Sequence, residues 1–173
     1  SYFDKRTVTH SAVVNKFNAL KKPKVNWVNF LDLEELEKVV SKLSKDTKPV
    51  FGKMNGQQMI EHLSLLLQFS NGKKQAKYFV SEDKSARRKP FLDTEGELQI
   101  GFKAPILSEE PNPVIFSSLQ EAIEDLLKQI EDYKAHFEAD AIENHPFFGE
   151  LNGEYWNKFH VKHFTHHCKQ FGL

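Results

Sequence analysis

The chain has 173 residues, enough for one domain with a sizeable core that needs neither a disulfide nor a cofactor to fold. Its 24 basic and 24 acidic side chains cancel, which argues against a nucleic-acid-binding protein and gives no reason to expect an anionic membrane partner. The single cysteine, Cys168, excludes an internal disulfide and favours the cytoplasm. No apolar run approaches the ~20 residues of a membrane span, and the first residues lack the apolar core of an export signal.

Residues 1–30 have the weakest pattern in the chain. Apolar residues between Val8 and Leu20 indicate a short amphipathic helix, which the following Lys-Lys-Pro sequence would end. We therefore predict an N-terminal arm that packs on a single domain formed by residues 31–173.

Two helices are predicted in the first half of this domain. The sequence Asp32-Leu33-Glu34-Glu35 has the form of a capping box, and the apolar spacing after it predicts a helix over about 32–44. A second helix is predicted over about 55–71, between an asparagine cap and an Asn-Gly stop. His62 lies on the apolar stripe of this second helix, where it would face neighbouring helices.

A long connection follows, from about residue 73 to residue 116. Four prolines exclude one continuous helix, and residues 97–102 are the only strand-like piece. The basic cluster at residues 85–89 is interpreted as a solvated turn. Connections of this length are unusual in compact domains and commonly form binding or lid segments.

Two further helices complete the predicted fold. Ser118 begins the third with another capping box and a regular apolar stripe, and after a turn over residues 144–149 the last helix runs from Asn152 to the end. The fold class predicted is therefore all-α, a four-helix bundle with a long crossover connection between its second and third helices.

The last helix carries the residues of most chemical interest. His163 and His167 are four positions apart, so on a helix their imidazoles lie about 40° apart on adjacent turns and can approach one point. His62 from the second helix can supply a third nitrogen. Three protein ligands and one open position are typical of a catalytic zinc site. An all-nitrogen site suits zinc or nickel, with iron as another option, and does not suit calcium or magnesium.

Other interpretations of these residues stay open. Such a histidine pair also arises by chance, and a core histidine can simply be hydrogen-bonded. His160 competes for a ligand position, while Gln170 and Glu61 are candidates for hydrogen bonds to the ligands, although Glu61 lies about 100° from the apolar stripe. His145 is interpreted as a turn residue and His166 as a surface residue.

Three stretches together resemble the DinB/YfiT-like superfamily of metalloenzymes: Gly52–Leu63, His145–Gly149 and His163–Gln170. The likeness extends from about residue 30 to the C-terminus. It implies a four-helix bundle whose metal is held by His62, His163 and His167. Some members of that superfamily transfer low-molecular-weight thiols, so the resemblance also implies a thiol cofactor as one option. Dimers are common among them, which allows a homodimer here.

Two functions follow as hypotheses. In the first, the chain is a metal-dependent enzyme of the hydrolase or thiol-transferase type, in which the metal activates a water or a small thiol towards a small-molecule substrate. The alternative is a non-catalytic bundle with a structural metal, which binds a small ligand or a protein partner. A closed site with His160 as fourth ligand would favour that alternative.

Overall fold

The computed structural model describes residues 24–100 and 110–173. The helix predicted between Val8 and Leu20 lies outside these residues. Five α-helices are present in the described ranges: α1 (Leu33–Val40), α2 (Gly56–Ser70), α3 (Glu82–Arg88), α4 (Leu119–His136) and α5 (Gly153–Gln170). Two short 3-10 helices, Lys89–Asp93 and Phe137–Ala139, follow α3 and α4. A two-stranded antiparallel hairpin, β1 (Ile142–His145) and β2 (Gly149–Asn152), connects α4 to α5.

The prediction of an all-α four-helix bundle is wrong, because the structure is mixed. The segment interpreted as a simple turn is the tip of the β-hairpin, in which Glu143 pairs with Leu151 and His145 pairs with Gly149. Each strand has only four residues, too few for an alternating apolar pattern to stand out in the sequence. A strand was also predicted over residues 97–102. Residues 97–100 contain no strand, and residues 101–102 lie outside the described ranges.

Local capping explains why α2 and α5 begin where they do. The Asn55 side chain accepts a hydrogen bond from the backbone N–H of Gln58, whose own side chain accepts one from the Asn55 N–H, a complete capping box. Asn152 accepts from the N–H of Tyr155 at the start of α5. These caps fix the register of the two helices, and with it the faces on which their histidines lie.

The core forms where α2, α4, α5 and the segment before α1 meet. Phe30 is fully buried and stacks on Phe164 at 5.1 Å between ring centroids, so the residues just before α1 pack on α5. Helix α5 differs from the others because its buried face is rich in polar side chains. Its buried polar residues are His160, Lys162, His163, Thr165, His167 and Gln170.

The long connection is tied to both histidine-bearing helices. Lys162 of α5 donates to the backbone carbonyls of Thr94 and Gly96, and its ammonium group lies 4.9 Å from the centre of the Trp27 ring. Further along, Glu61 of α2 accepts hydrogen bonds from the N–H groups of Ile115 and Phe116. The connection is therefore held against α5 near its middle and against α2 at its C-terminal end.

The basic cluster at 85–89 is not the solvated turn that the sequence predicted. It lies mostly within α3, where Ser85 donates to the Phe148 carbonyl at 2.6 Å and Arg88 donates to the Phe147 carbonyl at 3.0 Å. The Arg88 guanidinium also stacks over the Phe147 ring at 3.9 Å. The cluster thus anchors the tip of the hairpin, a long-range contact that charge patterning does not report.

Candidate metal centre

Three imidazoles from two helices meet at one point. His163 Nε2 lies 2.9 Å from His62 Nε2 of α2 and 3.0 Å from His167 Nε2 of the same helix. The ligand atoms of the three residues all lie within 4.8 Å of one another. Nitrogens bound at ~2.0–2.1 Å to a tetrahedral ion stand roughly 3.3 Å apart, so the spacing is close to that of a three-histidine metal site.

Gln170 determines which nitrogen of His167 carries the proton. The Gln170 amide nitrogen donates to the Phe51 carbonyl at 2.9 Å, and because a carbonyl can only accept, this contact fixes the orientation of the amide. Gln170 Oε1 then lies 2.6 Å from His167 Nδ1, which must be the donor. His167 Nε2 consequently presents its lone pair to the other two imidazoles, the state that metal binding requires.

Burial keeps all three imidazoles neutral near pH 7. His163 and His167 are buried, and burial is the main cause that holds their pKa values well below 6.5, helped by mutual repulsion of the charges. Part of the His62 side chain reaches solvent, yet burial and the nearby charge of His166 lower the pKa of His62 to about 4. The ligands are therefore available without first losing protons.

Neutral imidazoles alone do not satisfy this arrangement. His163 Nε2 faces two nitrogens, and His167 Nε2 offers only a lone pair. One hydrogen must therefore serve two contacts, or two lone pairs must face each other at about 3 Å. A divalent cation would accept all three lone pairs at once.

His160 does not join the three converging histidines. Its Nε2 lies 2.8 Å from Ser70 Oγ, and its ring stacks on Trp156 with centroids 5.3 Å apart. Within the part of the chain that the structure describes, the only set of histidine, cysteine or carboxylate groups suited to a metal is His62, His163 and His167. The side chains therefore do not form a closed site with His160 as fourth ligand.

The other residues singled out from the sequence have separate partners. Glu61 Oε1 accepts hydrogen bonds from the long connection, as described above. Within the described residues, Glu61 makes no hydrogen bond to the three imidazoles. His166 is half-buried rather than exposed, with Nδ1 3.2 Å from the Leu98 carbonyl and its ring centroid 5.0 Å from that of His167.

Two participants escaped the sequence analysis. The Phe51 carbonyl orients Gln170 across 119 positions of sequence, and a backbone group leaves no residue-type signal. Phe159 stacks on His163, with ring centroids 5.2 Å apart and an interplanar angle of 21°. Phe159 lies four positions before His163, one helical turn away, but spacing alone cannot distinguish a ring that stacks on a functional imidazole from ordinary core packing.

Replacing Gln170 with leucine should weaken zinc binding by roughly 10–100-fold, because the His167 Nδ1–H would lose its acceptor and the ring its fixed orientation. Isothermal titration with zinc measures the change. Lys169→Ala is the matched control, since Lys169 is exposed on the same turn and pairs with Glu97 on the surface. Equal zinc affinity in wild type and Gln170→Leu would contradict the assigned role.

The fold and the site together describe a helical domain with a β-hairpin insertion and a buried cluster of three histidines. The family model described as Protein of unknown function (DUF1569) matches residues 24–172, so the chain belongs to that family. The comparison with curated proteins found no match, and neither did the comparison with solved structures.

This assignment overturns the resemblance to the DinB/YfiT-like superfamily. The stretches that suggested it are short, and a histidine pair with helical spacing recurs wherever two imidazoles must meet on one helix. Such motifs report local geometry rather than ancestry. A separate finding concerns membranes: no helix in the described residues has the length and apolar character to cross a bilayer.

Proposed function

We propose that this protein is a metal-dependent enzyme in which His62, His163 and His167 hold a divalent transition metal. The observation that carries the proposal is the convergence of three Nε2 atoms, one of which has its lone pair fixed by Gln170. Zinc and nickel suit this all-nitrogen set best, and iron is the next candidate. Calcium and magnesium are disfavoured, since both prefer oxygen ligands.

The energetics of the cluster support the proposal. Burying imidazoles is costly unless each polar atom finds a partner, and three converging nitrogens share too few hydrogens to satisfy one another. A bound cation would instead accept a lone pair from each of the three nitrogens. The lowered pKa values act in the same direction, because protons do not compete for the ligands near pH 7.

An open coordination position favours catalysis over a structural role. The described residues supply three ligands and no fourth, and catalytic sites of this kind keep one position for water or substrate. His62 is half-buried whereas His163 and His167 are buried, so we place the approach of a small molecule on the side of His62. When bound, such an ion acts as a Lewis acid that lowers the pKa of a water or a small thiol beside it.

The substrate we propose is accordingly a small molecule, and the reaction is of the hydrolase or thiol-transferase type. A low-molecular-weight thiol fits the site as co-substrate, because thiolate sulfur is a good ligand for these metals. The balanced charge of the chain does not support a nucleic acid or an anionic membrane as partner. A reducing compartment, the cytoplasm, suits a chain with one cysteine. Size-exclusion chromatography would show whether the chain assembles as a homodimer.

Elemental analysis of protein purified without a nickel column tests the proposal. We expect about one equivalent of a transition metal per chain, and its loss in the His62→Ala variant. His136→Ala is the control, because His136 pairs with Glu143 elsewhere in the fold. Wild-type protein that stays metal-free, even after incubation with zinc, nickel and iron, would refute the proposed function.

A further inference from the structure

Several buried polar atoms have no hydrogen-bond partner within the described residues. They are Ser64 Oγ, His145 Nε2, His160 Nδ1 and His163 Nδ1. The three imidazoles all contact the ring of Phe159, whose centroid lies 4.3 Å from that of His145, 5.4 Å from that of His160 and 5.2 Å from that of His163. A buried polar atom without a partner costs about 1–3 kcal/mol, so three around one ring require an explanation.

The protonation state of His145 follows from the hairpin tip. His145 Nδ1 accepts hydrogen bonds from the backbone N–H groups of Phe147 at 3.0 Å and Phe148 at 3.2 Å. Because Nδ1 is the acceptor, the single proton of the neutral ring must lie on Nε2. His145 Nε2–H is therefore a buried donor that still needs an acceptor.

The protonation state of His160 follows from Ser70. The Ser70 hydroxyl donates to the Leu67 carbonyl at 2.9 Å, and a carbonyl can only accept. Both contacts of the hydroxyl are satisfied only when His160 Nε2 donates its proton to Ser70 Oγ, 2.8 Å away. His160 Nδ1 therefore presents a buried lone pair.

The third state rests on the proposed function. When His163 gives the lone pair of Nε2 to a metal, the proton of its neutral ring lies on Nδ1. His163 Nδ1–H and His145 Nε2–H are then two donors, and His160 Nδ1 is an acceptor. All three rings contact the same Phe159 ring, which places His160 in one cluster with His145 and His163.

These groups make no direct hydrogen bonds with one another. A single group that served all three would accept from two donors and donate to one acceptor. Water has that capacity, and buried waters typically make about three such bonds. We propose that internal water links His163 Nδ1–H to His160 Nδ1 and also accepts from His145 Nε2–H. His160 and His145 are then positioning residues for the ligand His163, as Gln170 is for His167.

This arrangement assigns a use to two buried histidines that do not bind the metal. A ligating imidazole normally passes its second N–H to a polar partner, which fixes the ring and increases its basicity. For His163 no such partner exists among the described side chains. The water-linked pair supplies it, and anchors it to α2 through Ser70 and to the hairpin through the backbone of residues 147–148.

Two measurements on wild-type protein test the proposal directly. Nitrogen-15 NMR of the metal-free form should show His145 and His160 both protonated at Nε2. A high-resolution crystal structure of the zinc-loaded form should show buried water in hydrogen-bonding contact with His163 Nδ1 and His160 Nδ1. Protonation of His160 at Nδ1, or no water at His163 Nδ1, would overturn the inference.

Zinc affinity separates positioning from packing. His160→Phe removes the acceptor and should weaken zinc binding by roughly 10–100-fold, whereas His160→Asn keeps an oxygen near the Nδ1 position and should stay within about threefold of wild type. Trp156→Phe is the matched control, because it disturbs the same buried stack without removing Nδ1. Equal losses in all three variants would show a packing effect and refute the positioning role.

The two proposals fail in different ways. If wild-type protein binds no zinc, the proposed function fails and the role of His160 as a support for a ligand fails with it. If wild-type protein binds zinc but His160 is protonated at Nδ1, only the water-linked network is refuted.

Discussion

Lowering the pH from 7 to 4 should unfold the metal-free protein. His145, His160, His163 and His167 are buried, and burial holds their pKa values far below 6.5, in the case of His160 at about 3. Below pH 6.5 the unfolded chain takes up protons at these residues while the folded chain does not. Stability is therefore full above pH 6.5 and is lost as the pH falls towards the folded-state pKa values.

The expected size of this effect is large. His160, whose folded-state pKa is about 3, loses about 2 kcal/mol of stabilisation between pH 6.5 and pH 5, and the lowered pKa values of His145, His163 and His167 act in the same direction. The free energy of unfolding of an ordinary domain is only about 5–15 kcal/mol. We therefore expect an acid-unfolding midpoint near pH 5.

Circular dichroism and tryptophan fluorescence, followed from pH 7.5 to pH 4, measure this transition. Zinc-loaded protein is the comparison, because a bound cation stabilises the deprotonated ligands and should shift the midpoint to lower pH. Metal-free protein that keeps its full free energy of unfolding at pH 4.5 would show that the imidazoles are not held neutral by burial.

Replacing His163 with alanine should abolish metal binding and any metal-dependent turnover. His163 Nε2 is the nitrogen that lies within 3.0 Å of both other imidazoles, so its loss leaves two ligands on different helices. We expect zinc affinity to fall by at least about 100-fold. The free energy of unfolding of the metal-free protein should change by only about 1 kcal/mol, because the new cavity is offset by removal of an unsatisfied buried imidazole.

Zinc titration, followed by thermal melts with and without zinc, makes the measurement. Wild-type protein should melt at higher temperature with zinc, and His163→Ala should lose that shift. His166→Ala is the matched control, since His166 is the adjacent half-buried histidine and its Nδ1 binds the Leu98 carbonyl instead. Wild-type affinity in His163→Ala would exclude the three-histidine site, and a collapse of the metal-free fold would favour a structural role for this residue.

The parts of the structure that were predictable depend on short-range chemistry. The capping box at Asn55 and Gln58 determines the start of α2 from residues three positions apart. The relation between His163 and His167 depends only on the helical repeat. To predict that all three histidines lie together, the apolar pattern of α2 was also needed. This pattern placed His62 on the face towards α5. Whether they bind a metal stays a prediction.

The parts that were missed depend on contacts between distant residues. The hairpin tip accepts hydrogen bonds from Ser85 and Arg88 of α3, which lie 63 and 59 positions away in the sequence. His145 was interpreted as a turn residue, but it is the last residue of β1 and is fully buried, which nothing in the local sequence shows. The family assumed from short motifs was wrong for a related reason: spacing constrains geometry and says little about descent.

The contact between Phe51 and Gln170 has a consequence for how the site can be tuned. The acceptor at position 51 is a main-chain oxygen, so no side-chain substitution there can delete it, although a shift of the loop can lengthen it. Electron donation by His167 thus depends on the path of the segment between α1 and α2. Remodelling that loop offers a way to change the orientation and basicity of the His167 imidazole while all three histidines stay in place.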